Sequence, residues 1–412
     1  MKGVSLRPRI VCTACLMLCS LGVSQWRETM TYVPDSLCGL TSPQCLAYNS
    51  VNNTLYVGGY YGDCVIAIDG TTNQKVARIS AGSNIKVLCC NPQDDKVYSA
   101  NGQDGTVTVI DGATNSVLAT VTIGHSPCAL CYNPQNNKVF CANTDSTVTA
   151  IDGAGDSVIR TVAVGDQPTA LCYNPQSNKV YCANGASANV TVIDGATDSI
   201  LATVTVGSSP HALCDNPQNN KVYCANRGGD SVAVIDCSAD TVVTAVAVGS
   251  TPQALCYNPQ NNKVYCANEF SHDVTVIDGA TNQVLRTIGV GDDPIDFCRN
   301  PAQNRVYVAN YYSSSVSVLR DSGGGIEEDP KPQAASFRPA ATVVRGVLFL
   351  PPASGVEPGV SSVLLDISGR KVLDLHPGPN STKALAPGIY FIRELTQVSG
   401  RLSDVRKVVI TR

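Results

Sequence analysis

The amino-acid sequence predicts an all-β chain: a seven-bladed β-propeller followed by a small C-terminal β-sandwich. Three observations carry this. One segment recurs seven times, with Asn49, Asn91, Asn133, Asn174, Asn216, Asn258 and Asn300 opening the same turn at spacings of 42, 42, 41, 42, 42 and 42 residues. Each copy holds four short runs of β-forming residues, the blade unit of a propeller. After Arg320 the repeat stops and a different strand pattern follows.

The elements follow in chain order. Lys2, Arg7 and Arg9 precede an apolar stretch from Ile10 to Val23, and small residues end at Ser24. This is the pattern of a secretory signal peptide over residues 1–24. The stretch is short for a spanning helix, and no later segment is long and apolar enough to cross a membrane. The propeller is expected over 25–320. In the repeat from Pro210 to Gly249, Ala212 to Asp215 is a strand and Asn216 to Asn220 a turn rich in Asn and Pro. Val222 to Ala225, Val232 to Ile235 and Val242 to Val248 are three further strands. The seventh repeat supplies only three strands. The segment from Trp26 to Val33 reads as the fourth, closing the last blade and removing an open edge.

These residues resemble the YVTN family of β-propeller repeats. The matching text is Val222-Tyr223-Cys224-Ala225-Asn226, then Val232 to Asp236 and Val246 to Gly249, and in the last repeat Val306-Tyr307-Val308-Ala309-Asn310. The resemblance covers roughly residues 40 to 320 and implies the propeller fold. The departure is cysteine in the second strand.

Residues 321–334 read as a Gly- and Pro-bearing linker. The sandwich is expected over 335–412, with strands at Val343 to Leu350, Ser362 to Ile367, Lys371 to Leu375, Ile389 to Arg393 and Arg406 to Arg412. This tail resembles the C-terminal sorting domain of type IX secretion, through Arg345 to Leu348, Leu365 to Val372, Leu385 to Arg393 and Lys407 to Ile410. The resemblance implies the type IX export machinery as a partner and a secreted or cell-surface protein that passes through the periplasm. Charge separates the two parts. Arg27 to Arg320 holds 15 Lys and Arg against 24 Asp and Glu, a net −9, while Lys331 to Arg412 holds 11 against 5, a net +6. The acidic propeller argues against a nucleic-acid partner, which needs a basic face.

The chain has 19 cysteines. Eight form four equally spaced pairs: Cys131 with Cys141, Cys172 with Cys182, Cys214 with Cys224 and Cys256 with Cys266. Centring the turn between the first and second strands sets Tyr132 against Phe140 and Cys131 against Cys141. Opposed residues share a face of the sheet. Free thiols packing as small apolar groups are one reading. A disulfide within each blade is another, which export permits. Metal binding is the weakest, because the pairs belong to different blade interfaces. Free thiols are the favoured reading, and blade two, with Ser99 against Cys89, and blade one, with Val57 against Ala47, show that neither state is essential to a blade.

Comparing the copies locates the functional surface. The turns between strands one and two and between strands three and four barely change, and both lie on one face of the disc. The loops on the other face vary, and loops on a rigid scaffold carry binding. Candidate binding residues there are Tyr60, Tyr61, His125, Arg227, Glu269, His272, Tyr311 and Tyr312. Tyrosine is large, stiff and amphipathic, suited to a protein or glycan at the cell envelope. His125, His211 and His272 belong to three different repeats and need not converge. The repeated Asp69, Asp111, Asp152, Asp194, Asp236 and Asp278 read as turn residues, not a calcium series. No Ser/His/Asp pattern, phosphate loop or close His pair appears, and no cofactor or metal is expected. The leading expectation is a non-catalytic binding or scaffold module. The alternative is an exported lyase or hydrolase working on the variable face.

Overall fold

The computed structural model describes residues 41–322 and 325–328 and, near the C-terminus, 342–345, 347–350, 361–365, 370–375, 378–381, 385, 388–395 and 405–411. The expected signal peptide and the segment from Trp26 to Val33 lie outside the described residues. The described chain divides into two compact units, 1–327 and 328–412.

The first unit is a seven-bladed propeller. Its blades span 41–80, 85–122, 127–163, 168–205, 210–247, 252–289 and 294–328, each a four-stranded antiparallel sheet in sequential order. Blade three is representative, with strands Pro127–Asn133, Lys138–Asn143, Thr147–Asp152 and Val158–Ala163. First strands of successive blades lie side by side and second strands are almost wholly buried, whereas fourth strands form the exposed rim. The core lies between blades. Tyr98, Val107 and Val109 of blade two pack on Val139, Cys141 and Ile151 of blade three. Fully burying one such aliphatic side chain is worth about 1.5–3 kcal/mol. The end blades differ. Leu46 and Val316 are 64% and 57% exposed, where the matching Leu88 and Val274 are 7% and 0% exposed.

Two expectations are corrected here. The fourth position of blade seven is held by Gly325–Glu328, from the segment read as linker. Only two residues, both glycine, separate it from Ser315–Ser322. The cysteine register is the second. Lys138 pairs with Asn133, so Cys131 faces Phe140 and Cys141 faces Leu130. The same shift sets Cys172 against Tyr181, Cys214 against Tyr223 and Cys256 against Tyr265. It also sets Ser99 against Leu88 and Val57 against Leu46. Opposed residues share a face, so the two cysteines of each pair point to opposite faces and cannot be bridged. Cys131, Cys141, Cys172, Cys182, Cys214, Cys224, Cys256 and Cys266 are free thiols.

The constant turns tie each blade to the next. Asn133 Oδ1 accepts the Gln135 N–H at 2.9 Å, while its Nδ2 donates to Asn178 Oδ1 of blade four at 3.0 Å. Asn91, Asn216 and Asn258 repeat this on Asn137, Asn262 and Asn304. Lys96, Lys138 and Lys179 each reach the next blade to an aspartate, Asp156, Asp198 and Asp240, at 2.8, 2.8 and 2.7 Å. Tyr181 Oη also donates to Asp240, at 3.0 Å. The repeated aspartates cap their own turns: Asp194 Oδ1 accepts from Ala196 and Thr197 N–H, which holds its carboxyl below the ordinary range. After each such aspartate stands glycine, except in blade five. A Cβ on Gly153 would meet Asn137 Oδ1 at 2.5 Å. Where Cys237 replaces that glycine, its N–H bond to Asn220 lengthens to 3.1 Å, against 2.8 Å from Gly153 to Asn137.

The second unit contains a five-stranded sheet and a two-stranded one. In the larger, Thr342–Arg345 runs parallel to Val405–Thr411, which pairs with Gly388–Leu395, then Ser361–Leu365 and Lys371–Leu375. Val347–Leu350 and Gly378–Ser381 form the smaller. Leu364 and Leu375 are buried. Among the described residues no helix is long and apolar enough to cross a membrane.

Candidate binding face

In blades two to seven the loop face is built on one buried asparagine, at the end of the second strand. Asn143 Nδ2 donates to Thr147 and Thr149 Oγ1 at 3.0 and 3.1 Å, and Asn184, Asn268 and Asn310 make the same pair of bonds to their third strands. The amide oxygen also needs a donor. Cys141, Cys182, Cys224 and Cys266 direct their thiols at Asn143, Asn184, Asn226 and Asn268 Oδ1, at 3.7, 3.5, 3.7 and 3.3 Å. In blade two, Ser99 does so on Asn101 at 3.1 Å. Blade seven has Val308 at this position, and Asn310 Oδ1 is buried with no partner among the described residues. The second-strand cysteines are therefore hydrogen-bonding parts of the loop scaffold. Burial pushes all four thiols well above the ordinary cysteine range, so they stay protonated and unreactive at neutral pH.

The next residue is clasped by its backbone. The N–H groups of Gly102, Gly185, Arg227, Glu269 and Tyr311 donate to the carbonyls of Asn84, Gln167, Ser209, Thr251 and Asp293, at 2.8, 2.7, 2.9, 2.9 and 2.8 Å. Thr144 makes the bond to Ser126 at 3.3 Å. Each accepting residue is left-handed, with φ between 49° and 59°, a conformation costly without compensation. The clasp fixes the backbone whatever side chain it carries. That side chain is Gly, Thr, Gly, Arg, Glu and Tyr from blade two to blade seven, and Tyr60 stands at the matching place in blade one. Four of the predicted residues, Tyr60, Arg227, Glu269 and Tyr311, occupy this one position.

The structure brings some of the predicted residues together. Tyr60 and Tyr61 meet edge to face at 4.7 Å, and Tyr311 and Tyr312 at 5.4 Å. Tyr61, Tyr311 and Tyr312 are 65%, 65% and 75% exposed. Arg227 Nη2 binds Glu269 Oε2 of the next blade at 2.8 Å. Beside them burial, and then the Arg227 charge, lower the basicity of His211. The other histidines stand apart. His125 is exposed in blade three, its N–H bonded to Asp145 at 2.9 Å. His272 Nδ1 accepts the Asp293 N–H at 3.1 Å, as Asp230 Oδ1 accepts that of Thr251 one blade earlier. His272 thus serves the scaffold. Among the described residues no three His, Cys, Asp or Glu side chains are grouped to hold a metal.

Reading by tyrosine pairs passes over two features. Phe270, next to Glu269, is 61% exposed. The second residue of the first strand is Lys86, Cys128, Thr169, His211, Gln253 and Ile295 in blades two to seven, inside an otherwise repeated strand. Cys128 and Thr169 donate there to the Pro168 and Pro210 carbonyls of the following blade. Variation within a constant frame was the signal for both.

The fold and this face define a β-propeller repeat protein. Residues 24–210 match the family described as YNCE-like beta-propeller. Among solved structures, the chain is similar to "Kuenenia stuttgartiensis Hydrazine Synthase", at 16% identity and TM-score 0.55, over 72% of this chain and 99% of that one. It is also similar to the computationally designed Ika8 protein, at 20% identity and TM-score 0.59, over 70% of this chain and 86% of that one. Both likenesses concern the fold alone. No curated protein matches the sequence.

Proposed function

We propose that the chain is an exported or surface-displayed propeller that binds a partner through its loop face and acts as a scaffold rather than a catalyst. The clasped position carries this reading. One backbone hydrogen bond recurs around the disc while its side chain changes from Gly to Thr, Arg, Glu and Tyr. A position with fixed backbone and unfixed side chain is a display position, and exposed tyrosines beside an Arg–Glu pair suit a protein or glycan of the cell envelope. The tail's resemblance to type IX sorting domains supports export and an outer-surface destination, with the type IX machinery as transit partner. The net −9 of the propeller sequence disfavours nucleic acid.

The test is capture of partners from the native cell envelope by full-length protein, followed by Arg227→Ala/Glu269→Ala and Tyr311→Ala/Tyr312→Ala. Loss of a specific captured component in these variants, with folding intact, is expected. Undiminished capture by both double variants would place the binding elsewhere.

A further inference from the structure

We infer that the cleft between the loops of blades one and two is a saccharide subsite, with Tyr61 as the stacking platform. The inference deepens the binding-module reading and rests on it. The cleft is shallow and open to solvent, has room for about 420 Å³ and is lined by Tyr60, Tyr61, Asp63, Ser83, Asn84 and Gln103. Small-ligand sites range roughly from 300 to 1,000 Å³. Its floor is braced: Asn84 N–H donates to Gly62 O at 3.3 Å, Gln103 N–H to Ser83 O at 3.2 Å, and Ser83 N–H to Asp104 Oδ2 at 2.7 Å. These bonds hold the loops of the two blades together without using the side chains of Ser83 or Gln103.

The chemistry of the walls selects the ligand. Lys86 Nζ sits 4.8 Å from the Tyr60 ring centre, and the Tyr60 edge meets Tyr61 at an interplanar angle of 84°. The stack orients Tyr61, which stays 65% exposed. A flat, exposed phenol ring offers a surface to the C–H face of a pyranose. Around it stand two amides, a hydroxyl and a carboxylate, groups that pair with vicinal hydroxyls as donors and acceptors. Asp63 gives Oδ1 to Arg78 at 3.2 Å, which leaves Oδ2 for a ligand. Asn84 lines the cleft, and its Oδ1 is buried and has no partner among the described residues. A phosphate-bearing ligand fits less well, because the nearby cation, Lys86, already lies over Tyr60. A hydroxyl-rich, uncharged sugar uses every group in the cleft.

The test is saturation-transfer NMR and calorimetry on the full chain with maltotetraose, cellotetraose and chitotetraose. Binding of at least one is expected. Tyr61→Ala and Gln103→Ala should each weaken it by about tenfold, the scale of one stacking contact with its buried area. Tyr61→Phe should retain it, and Leu201→Ala, on the exposed fourth strand of blade four, should leave it unchanged. Circular dichroism of each variant reports folding. No binding of any tetrasaccharide, or binding indifferent to both alanine variants, overturns the inference. If envelope capture through Arg227 and Tyr311 persists in that case, the display-face reading stands and only the saccharide subsite falls.

Discussion

The two faces of the propeller are made from the same repeat but use polar residues in opposite ways. On the turn face, Asn, Lys, Asp and Tyr of one blade bond to the next, as in Asn133 to Asn178 and Lys138 to Asp198. Each such side chain has a required partner, so the text barely varies. On the loop face the joining is done by main chain and by groups that accept from it: the clasp N–H, Asp145, Asp230 and the His272 ring. The side chain on the clasped residue is left out of that work except in blades five and six, where Arg227 and Glu269 pair across the blades. The lesson is that variation between repeats shows where backbone, rather than side chain, holds the fold.

The comparison sharpens first on the turn face. Lys138→Ala leaves Asp198, whose side chain is 5% exposed, without its cation. Removing one partner of such a pair costs about 3 kcal/mol, seen as a lower urea midpoint. A partner on the loop face such as Arg227, 40% exposed, should cost about 1 kcal/mol or less when replaced by alanine.

Asp215 breaks the pattern within the turn face and makes it pH-dependent. It stands in blade five where blades three, four and six have Tyr132, Tyr173 and Tyr257. Burial raises its pKa to about 6, although Asn174 Nδ2 donates to it at 2.8 Å. The folded state then holds this proton more tightly than the unfolded chain. Its contribution is most favourable below about pH 4 and is lost as pH rises to about 6, a change of about 2 kcal/mol. The turn aspartates, with lowered pKa, act in the opposite sense. The check is therefore the difference between wild type and Asp215→Asn across pH 4 to 7, which should shrink stability loss in the variant.

A third effect lies in the loop scaffold. Cys266→Val should leave Asn268 Oδ1 as Asn310 Oδ1 already is, at a cost of about 1–2 kcal/mol. Val308→Cys should supply the absent donor and raise stability by about 0.5–1 kcal/mol. Thermal unfolding of the two variants, moving in opposite directions, would check the pair. Equal shifts would show that the thiol packs without bonding.

How much of this was legible depends on what the period controls. A 42-residue repeat determines blade number and strand order, because four strands cannot bury their faces alone. Register is set by turn length, and there a one-residue error turns every side chain over. The loop from Pro134 to Asn137 has four residues and ends with Asn137 at φ 50°; Asn53, Asp95, Asn178, Asn220, Asn262 and Asn304 repeat the conformation. Asn and Asp favour that left-handed state, so their recurrence before Lys or its equivalent was the readable signal for an even turn. Tyr60, Arg227, Glu269 and Tyr311 were reachable from loop variability, and the structure adds that they share one backbone position. The inward bonding of His272 was not reachable, since its partner Asp293 belongs to the next blade.

The division of labour between the faces is tested most directly by comparing two proteins in urea. One carries Tyr60→Ala, Arg227→Ala, Glu269→Ala and Tyr311→Ala on the loop face; the other carries Lys138→Ala alone on the turn face. Thr144 already shows that the clasp accepts a residue other than glycine. The four loop-face changes together should cost about 1–2 kcal/mol, less than the single turn-face change. A loop-face variant less stable than Lys138→Ala would contradict the account, because its side chains would then be holding the propeller together.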